Sequence, residues 1–378
     1  GCGGVTVGSR VADQTSNNVD GELYDARVDN MRISEYQSSE LYKYLRLGLP
    51  EIEGIGIGSQ YWATSNYEGV VAGDGSVIQE VQESNNTSII AAPNFTTFIA
   101  TNATIVDDDT VTSIANGNIR KAVLVGTRRY IVRIIGTLSS GSISFTDGTN
   151  SLSPSLSGSI DATIGFAAKD KFNFYIQFSG AGTLDVTTFT LEEVGWSQST
   201  ALYDAVYAQT SGTAQVKELA ALKAAAMWCY YNNNVNNGAI YGKLLNEYAI
   251  KLINRYPTAG YRVPSKADAD QMVTYLGGSA ISAGKLKKEG AAYWSTNIGA
   301  TNESGFSALG SGFRLGTDGS FLGLSTEGRF WTSDTGTMLR VINNNTITEI
   351  AGGQDARRGY PIRLLRNSPV GPNETTVT

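Results

Sequence analysis

Residues 260–278 read GYRVPSKADADQMVTYLGG, and residues 284–331 read GKLKKEGAAYWSTNIGATNESGFSALGSGFRLGTDGSFLGLSTEGRFW. Gly and aromatic residues punctuate both runs closely, and the period-two alternation of strands is nearly absent. One helix is clearly signalled, with Ser265 as N-cap, Asp268 as the capping-box acid and Gly277 as the stop. The remainder folds only if long ordered loops pack around a few aromatic anchors. Folds of that kind display a surface, and nothing in these runs has the spacing of catalytic machinery.

The chain of 378 residues is long enough for two or three domains. Hydrophobic residues make up 41 %, enough for a sizeable core, while charged residues make up only 17 %. With 43 Gly and 19 Tyr beside abundant Ser, Thr and Asn, the surface reads as hydroxyl- and amide-rich. That composition is expected of an extracellular or virion β-protein. A net charge of −6 and the lack of a long basic run argue against a nucleic-acid partner. No apolar run reaches the ~18 residues of a membrane span, and no signal-like apolar region is visible. The start at Gly1-Cys2, without Met, reads as a processed or partial product. Histidine is absent, which removes Ser-His-Asp and Cys-His catalysis and His-ligated zinc. Cys2 and Cys229 are the two cysteines, so a four-cysteine metal site is excluded and both are expected to be free and structural.

Upstream, residues 20–34 (DGELYDARVDNMRIS) alternate as a half-buried strand, and residues 38–48 (SSELYKYLRLG) follow as a short helix stopped by Gly48. The pair resembles the last strand and closing helix of concanavalin A-like (laminin G-like) lectin domains, which makes residues 1–48 the expected C-terminal part of such a domain, the other reading being a small adaptor that only borrows the strand. Residues 51–82 carry two short strands with Gly between them. Residues 85–197 are rich in Thr, Ser, Ile and Val, with strands expected at 88–90, 95–99, 103–106, 122–125, 130–137, 142–146, 172–178 and 184–192. Turn signals such as Asp147-Gly148 and Gly180-Ala181-Gly182 separate them, and strands at this density spell an antiparallel β-sandwich. Helical periodicity takes over at residue 216, with helices expected at 216–228, at 242–253 and from Ser265. Short strands and loops return after Gly305, and residues 368–378 read as a tail or linker.

A set of ordered motifs then becomes specific. They are IGSQYWATSN (57–66), WCYYNN (228–233), YGKLLNEYA (241–249), GYRVP (260–264), AGKLK (283–287), NESGFSA (302–308) and GYPIRLLR (359–366). Together they resemble the Fibrobacter succinogenes major paralogous domain, a C-type-lectin-like module. In that family the Trp-containing start is soon followed by the helix before WCYYNN. Here VIQEVQ (77–82) and residues 216–228 both fit the module, yet the β-rich segment separates them. The expected architecture is therefore α+β and all-β multidomain. A C-type-lectin-like domain (49–84 plus 199–367) is interrupted by an antiparallel, jelly-roll-like β-sandwich (85–198), the kind of insertion that exposed loop tips tolerate. The inserted piece resembles carbohydrate-binding-module-like jelly rolls of phage fibres through LDVTTFTLEEVG (184–195).

Candidate chemistry is sparse. Asp107-Asp108-Asp109 offers carboxylates to calcium, or simply forms an acidic turn between strands. WCYYNNNVNNG (228–238) is rich in amide oxygens, and the family resemblance makes it a structural turn. Glu289 and Glu303 are a conceivable glycosidase pair, but such a pair needs a fixed separation across a cleft, and Glu303 belongs to a family motif. No catalysis is expected. Trp294, Trp331, Phe306 and Phe313 read as core anchors. Between residues 314 and 358, Asp318-Gly319-Ser320-Phe321 and Phe330-Trp331 form a frame around unpatterned positions. Those positions supply the candidate ligand-binding set: Arg314, Thr317, Leu322, Thr326, Arg329, Arg340, Asn343, Asn345 and Arg357, with the arginines as donors. The resemblance implies that such positions are diversified by retroelements in phage relatives, and the adenine-rich codons of Asn343-Asn344-Asn345 are compatible with that.

The expected function is that of a non-enzymatic virion fibre protein, from a phage tail or head, at the virion surface. It would bind a host cell-surface glycan or protein beside other virion proteins, as a homotrimer. No nucleic acid, no membrane insertion and no cofactor is expected, calcium being the one alternative. A secreted or surface-anchored bacterial adhesin, with Gly1-Cys2 as a lipoprotein start, and a purely structural capsid or tail decoration are the other readings.

Overall fold

The computed structural model describes residues 52–125, 128–168, 172–257, 260–367 and 376–377. The expected lectin-domain remnant at 1–48, Cys2, and most of the expected tail at 368–378 lie outside them. The described chain is mostly β, with several sheets and six α-helices, and none of those helices is long and apolar enough to cross a membrane.

β1 (Gly54–Ile57) and β2 (Gln60–Ala63) form an antiparallel hairpin turning at Gly58, whose φ of +62° suits glycine. β3 (Gln79–Glu80) follows, one strand more than the sequence signals. Then come β4 (Thr87–Ile90), β5 (Ile99–Ile105), β6 (Thr110–Ala122), β7 (Arg129–Thr146), β8 (Leu156–Ala167), β9 (Asn173–Ser179) and β10 (Gly182–Glu193). These make a seven-stranded antiparallel sheet folded on itself. β7 changes partner along its length. Its first part pairs with β8 and β10, and after a break near Gly141 (φ +74°) residues 142–146 pair with β9. With β9 on β6 and β6 on the start of β10, the circuit closes around a core. Phe95, Phe145, Phe174 and Phe189 fill it, fully buried, with neighbouring ring centroids 5.3 to 6.3 Å apart.

Several expected strands change. Residues 95–97 form a 3₁₀ turn that drives Phe95 into the core, so the strand begins only at Ile99. The expected strand at 122–125 is the end of β6 plus a loop, and the strands at 130–137 and 142–146 are one element. β8 and most of β6 carry no clear signal, because Gly and Ser interrupt their alternation. At Gly117 the interruption is functional for packing, since a Cβ there would lie 2.2 Å from the Asn102 carbonyl.

The helices are α1 (Ser199–Gln209), α2 (Ala214–Ala225), α3 (Val235–Tyr241), α4 (Glu247–Arg255), α5 (Lys266–Tyr275) and α6 (Ser279–Leu286). α2 starts at the Thr213 cap and stops short of the expected residue 228, because β11 (Met227–Cys229) is drawn into a sheet. There Met227 N–H donates to Asn246 Oδ1 (3.0 Å) and the Trp228 indole donates to the Ile78 carbonyl (3.1 Å). The helix expected at 242–253 begins at Glu247, capped by Asn246, because Gly242 (φ +75°) and β12 (Leu244–Leu245) intervene. α5 forms where expected, with the Ser265–Asp268 capping box and Gly277 at φ +98°. β13 (Tyr261–Arg262), β14 (Ser311–Arg314), β15 (Phe321–Leu324), β16 (Glu327–Trp331), β17 (Met338–Ile342), β18 (Thr348–Ala351) and β19 (Leu365–Arg366) complete the set.

The first strands find their partners far downstream. β19 lies between β2 and β13, and β3 runs parallel to β11. Residues 376–377 pair parallel to β1. Where the chain enters and leaves β4–β10 it forms a neck, in which Trp196 and Ser197 N–H donate to the carbonyls of Glu83 and Ser84, both at 2.9 Å. Arg129, at the start of β7, is buried and donates to the carbonyls of Lys223 and Ala224 at the end of α2. Burial lowers its pKa to about 10.

Candidate functional site

The candidate binding face lies on β14–β18 and their loops. Arg314, expected to present donors outward, is fully buried. Its guanidinium donates to the carbonyls of Val81 (2.7 Å), Gln82 (2.8 Å) and Gly319 (3.0 Å), and lies 4.6 Å from the Trp196 ring centroid. That expectation is corrected: Arg314 is a strut between the residues after β3 and the β14–β15 turn. Arg329 and Arg340 are cross-strand neighbours on β16 and β17, with Glu349 next in register on β18. Both arginines hold Glu327 (Arg329 at 2.7 Å, Arg340 at 3.0 Å), and Arg340 also reaches Glu349 at 2.8 Å. Burial alone would raise the Glu327 carboxyl, but the two guanidiniums pull it below the usual carboxylate value. Arg329 also stacks on Phe313, 3.9 Å from its ring centroid. Arg357 is paired with Asp355 at 2.6 Å and donates to the Ser197 carbonyl. These three arginines are therefore committed within the chain, not free donors.

Asn343 is nearly buried and donates to Ser295 Oγ at 2.8 Å, while Asn345 Oδ1 accepts from Ile347 N–H at 2.8 Å. Both shape a turn; Asn343 is too buried to present its side chain to a ligand, which corrects its assignment, while Asn345 stays half-buried at the face. Of the nine candidates, Thr317 and Leu322 are exposed and Thr326 is half-buried. The frame behind them is aromatic: Trp294, Trp331, Phe306 and Phe313 are buried, and the two indoles donate to the Ala308 (3.2 Å) and Leu245 (2.8 Å) carbonyls.

Sequence reasoning missed Lys287. The residue is fully buried, and its ammonium donates to the backbone carbonyls of Ile298 (2.8 Å), Asn345 (2.8 Å), Ile342 (3.0 Å) and Asn343 (3.3 Å). Burial lowers its pKa to about 8. It acts as an internal cation pinning the 343–345 turn to the loop at 298. The AGKLK motif contains it but carries no sign of burial, since lysine is almost always exposed.

Asp107–Asp109 form a turn between β5 and β6 in which Asp107 Oδ1 accepts from the Asp109 and Thr110 amides. Among the described residues no group of three or more His, Cys, Asp or Glu could hold a metal ion. Cys229 is free and buried, and desolvation lifts its thiol pKa to about 11. Glu303 pairs with Lys285 at 3.3 Å, Glu289 is exposed, and neither lines the cleft described next.

That cleft, about 550 Å³, opens between residues 64–68, the 230–242 segment, Lys288 and residues 307–309, with Arg363 in its wall. Two glycines shape it. A Cβ on Gly238 would collide with the Tyr230 ring at 2.3 Å, and one on Gly242 would meet Glu68 Oε1 at 2.6 Å. Lys243 donates to the Glu68 carboxylate and carbonyl, both at 2.7 Å. Arg363 is fully buried and donates to Asn66 Oδ1 (2.7 Å) and to the carbonyls of Phe306 (2.7 Å), Ser307 (3.0 Å) and Ala63 (3.1 Å). Burial lowers its pKa to about 9.

Residues 199–366 match the family model of the Fibrobacter succinogenes major domain. No curated protein matches the chain. Among solved structures there is similarity to the CBM22-1–GH10 modules of the N-terminal endo-1,4-beta-D-xylanase 10B of Clostridium thermocellum, complexed with xylohexaose. The identity is 15 % and the TM-score 0.20, over 31 % of this chain and 29 % of that chain. The chain thus spans less than a third of that chain's length.

Proposed function

We propose that this chain is a non-enzymatic binding protein of a virion fibre, in which a C-type-lectin-like domain (49–84 plus 199–367) is interrupted by a jelly-roll-like β-sandwich (85–198). Its loop face contacts a host-surface receptor, glycan or protein. The observation that supports this reading is the rigid mounting of the face: Lys287 and Arg314, both fully buried, hold its loops through backbone carbonyls. A preformed face loses little conformational freedom on binding, which is what a recognition surface requires. On it Thr317, Leu322 and Thr326 make the contacts, framed by the ion-paired Arg329, Arg340 and Arg357.

The test is cell binding by the labelled full chain, with Thr317→Arg and Leu322→Arg as variants, alongside detection of the chain in purified virions. Cell binding that both variants abolish, from a protein found in virions, is the expected result. Presence in virions without cell binding makes the chain a decoration, and presence on a bacterial surface makes it an adhesin. Turnover of a polysaccharide by the purified chain would overturn the non-enzymatic reading. A solution mass other than three chains would overturn the proposed homotrimer.

A further inference from the structure

The cleft beside Arg363 has a charge balance unlike that of the chain as a whole. Overall the protein carries a net charge of −6. Within the cleft, the one lining carboxylate, Glu68, is matched by Lys243. Lys288 has no carboxylate within ion-pair distance among the described residues; its ammonium sits 4.5 Å from the Tyr293 ring centroid. Every hydrogen-bond partner of Arg363 is neutral, an amide oxygen or a carbonyl. A buried guanidinium without a counter-ion is costly, and in low dielectric its field extends into the nearest solvent-filled space. That space is this cleft.

The remaining lining narrows the ligand. The hydroxyls of Ser65, Tyr230 and Tyr241 make no hydrogen bond among the described residues, so they are available to a hydroxyl-bearing molecule. The half-buried ring of Tyr230 and the exposed side chain of Ile240 give it an apolar face to lie on. A volume of about 550 Å³ is far more than an inorganic anion fills.

We infer that this cleft binds a carboxylate-bearing sugar unit of a polysaccharide, its carboxylate directed at Lys288 under the field of Arg363 and its hydroxyls at Ser65 and the tyrosines. The site is separate from Thr317 and Leu322. Failure here therefore leaves the loop-face reading standing, and loss of cell binding in the loop-face variants leaves this one standing.

The experiment is calorimetric titration of the full chain with oligogalacturonate and with sialyllactose, each beside its neutral counterpart, methyl-esterified oligogalacturonate and lactose. At least one acidic probe is expected to bind about tenfold or more tightly than its counterpart, with affinity falling as salt rises. Lys288→Gln is expected to weaken that binding about ten- to hundred-fold, the range of a lost charge-assisted hydrogen bond. Ser65→Ala gives a smaller loss in the same direction, and Leu322→Arg none. Arg363 is left intact because its loss would endanger folding. The inference is overturned if neither acidic probe binds, if the neutral counterparts bind equally well, or if Lys288→Gln leaves the affinity unchanged.

Discussion

Replacing Lys287 with Met keeps the length and apolar character of the stem, with sulfur in place of Cδ, and deletes the ammonium. Four carbonyls then lose a donor, but not equally. The Asn343 carbonyl keeps the Ile298 N–H at 2.9 Å, so its loss is smallest. Those of Ile298, Asn345 and Ile342, held at 2.8, 2.8 and 3.0 Å, depend on the ammonium more heavily. At about 2 kcal/mol for each charge-assisted hydrogen bond lost at these part-buried carbonyls, the three together cost about 6 kcal/mol. Against this, the variant no longer buries a charge. The fall in pKa from 10.5 to about 8 corresponds to about 3 kcal/mol of relief. The net expectation is a loss of about 3 kcal/mol, a large share of the stability of an ordinary domain. It is measured by urea unfolding at pH 7, where the folded-state ammonium is still protonated, with the half-buried neighbour variant Lys288→Met as control. Amide exchange should localise the effect, because the Ile298 and Asn343 N–H groups, bonded to Asn343 and Thr326 carbonyls at 2.9 Å, would open first. A loss under about 1 kcal/mol with unchanged exchange at both amides would refute the strut reading and leave Lys287 a tolerated burial.

Three other outcomes are expected. Burial alone would raise the Asp268 carboxyl, but Arg262 and Ser265 hold it down to about 2, so its contribution is complete above the ordinary carboxylate value and lost as pH falls from about 4 towards 2. Asp268→Asn should flatten that part of the stability–pH profile, and an unchanged profile would contradict the pairing. Gly242→Ala forces a side chain into φ +75° and against Glu68, which should cost about 1–3 kcal/mol in thermal or urea unfolding; a neutral result would mean the backbone there is not constrained. Excising residues 86–194 and joining the ends with a short Gly linker should leave a folded unit with near-native circular dichroism for α1–α6, because the neck holds those ends together through the Glu83–Trp196 and Ser84–Ser197 hydrogen bonds. An unfolded product would show that the β4–β10 body, anchored through Arg129, is required for the rest.

What could be read from the sequence was what short-range chemistry decides. The Ser265–Asp268 capping box lies within one helical turn, and the aromatic anchors Trp294 and Trp331 announce themselves by type. β6 and β8 escaped notice because Gly117 and the Ser/Gly-rich start of β8 break the alternation that marks strands. The arginines were misread for a different reason. Arg314 is satisfied by the Val81 carbonyl 233 positions away, so in sequence it looks like a free donor. Arg329 and Arg340 look equally free until strand register sets them against Glu327 and Glu349. Lys287 was invisible because its acceptors are backbone carbonyls, which every residue has.

The pairing of β2 with β19 also sets an order of assembly. A ribosome adding roughly 5–20 residues per second needs roughly 15–60 s to travel the 297 positions from Asn66 to Arg363. In that interval β4–β10 emerge complete and can close their circuit from local and medium-range pairings, while β1 and β2 have been made and have only each other. The hairpin with Trp62 must therefore wait through much of synthesis for its cover, because Met272, Leu276 and Phe306, which pack on Trp62, all lie far downstream. Only when β19 is released does the waiting hairpin gain its neighbour.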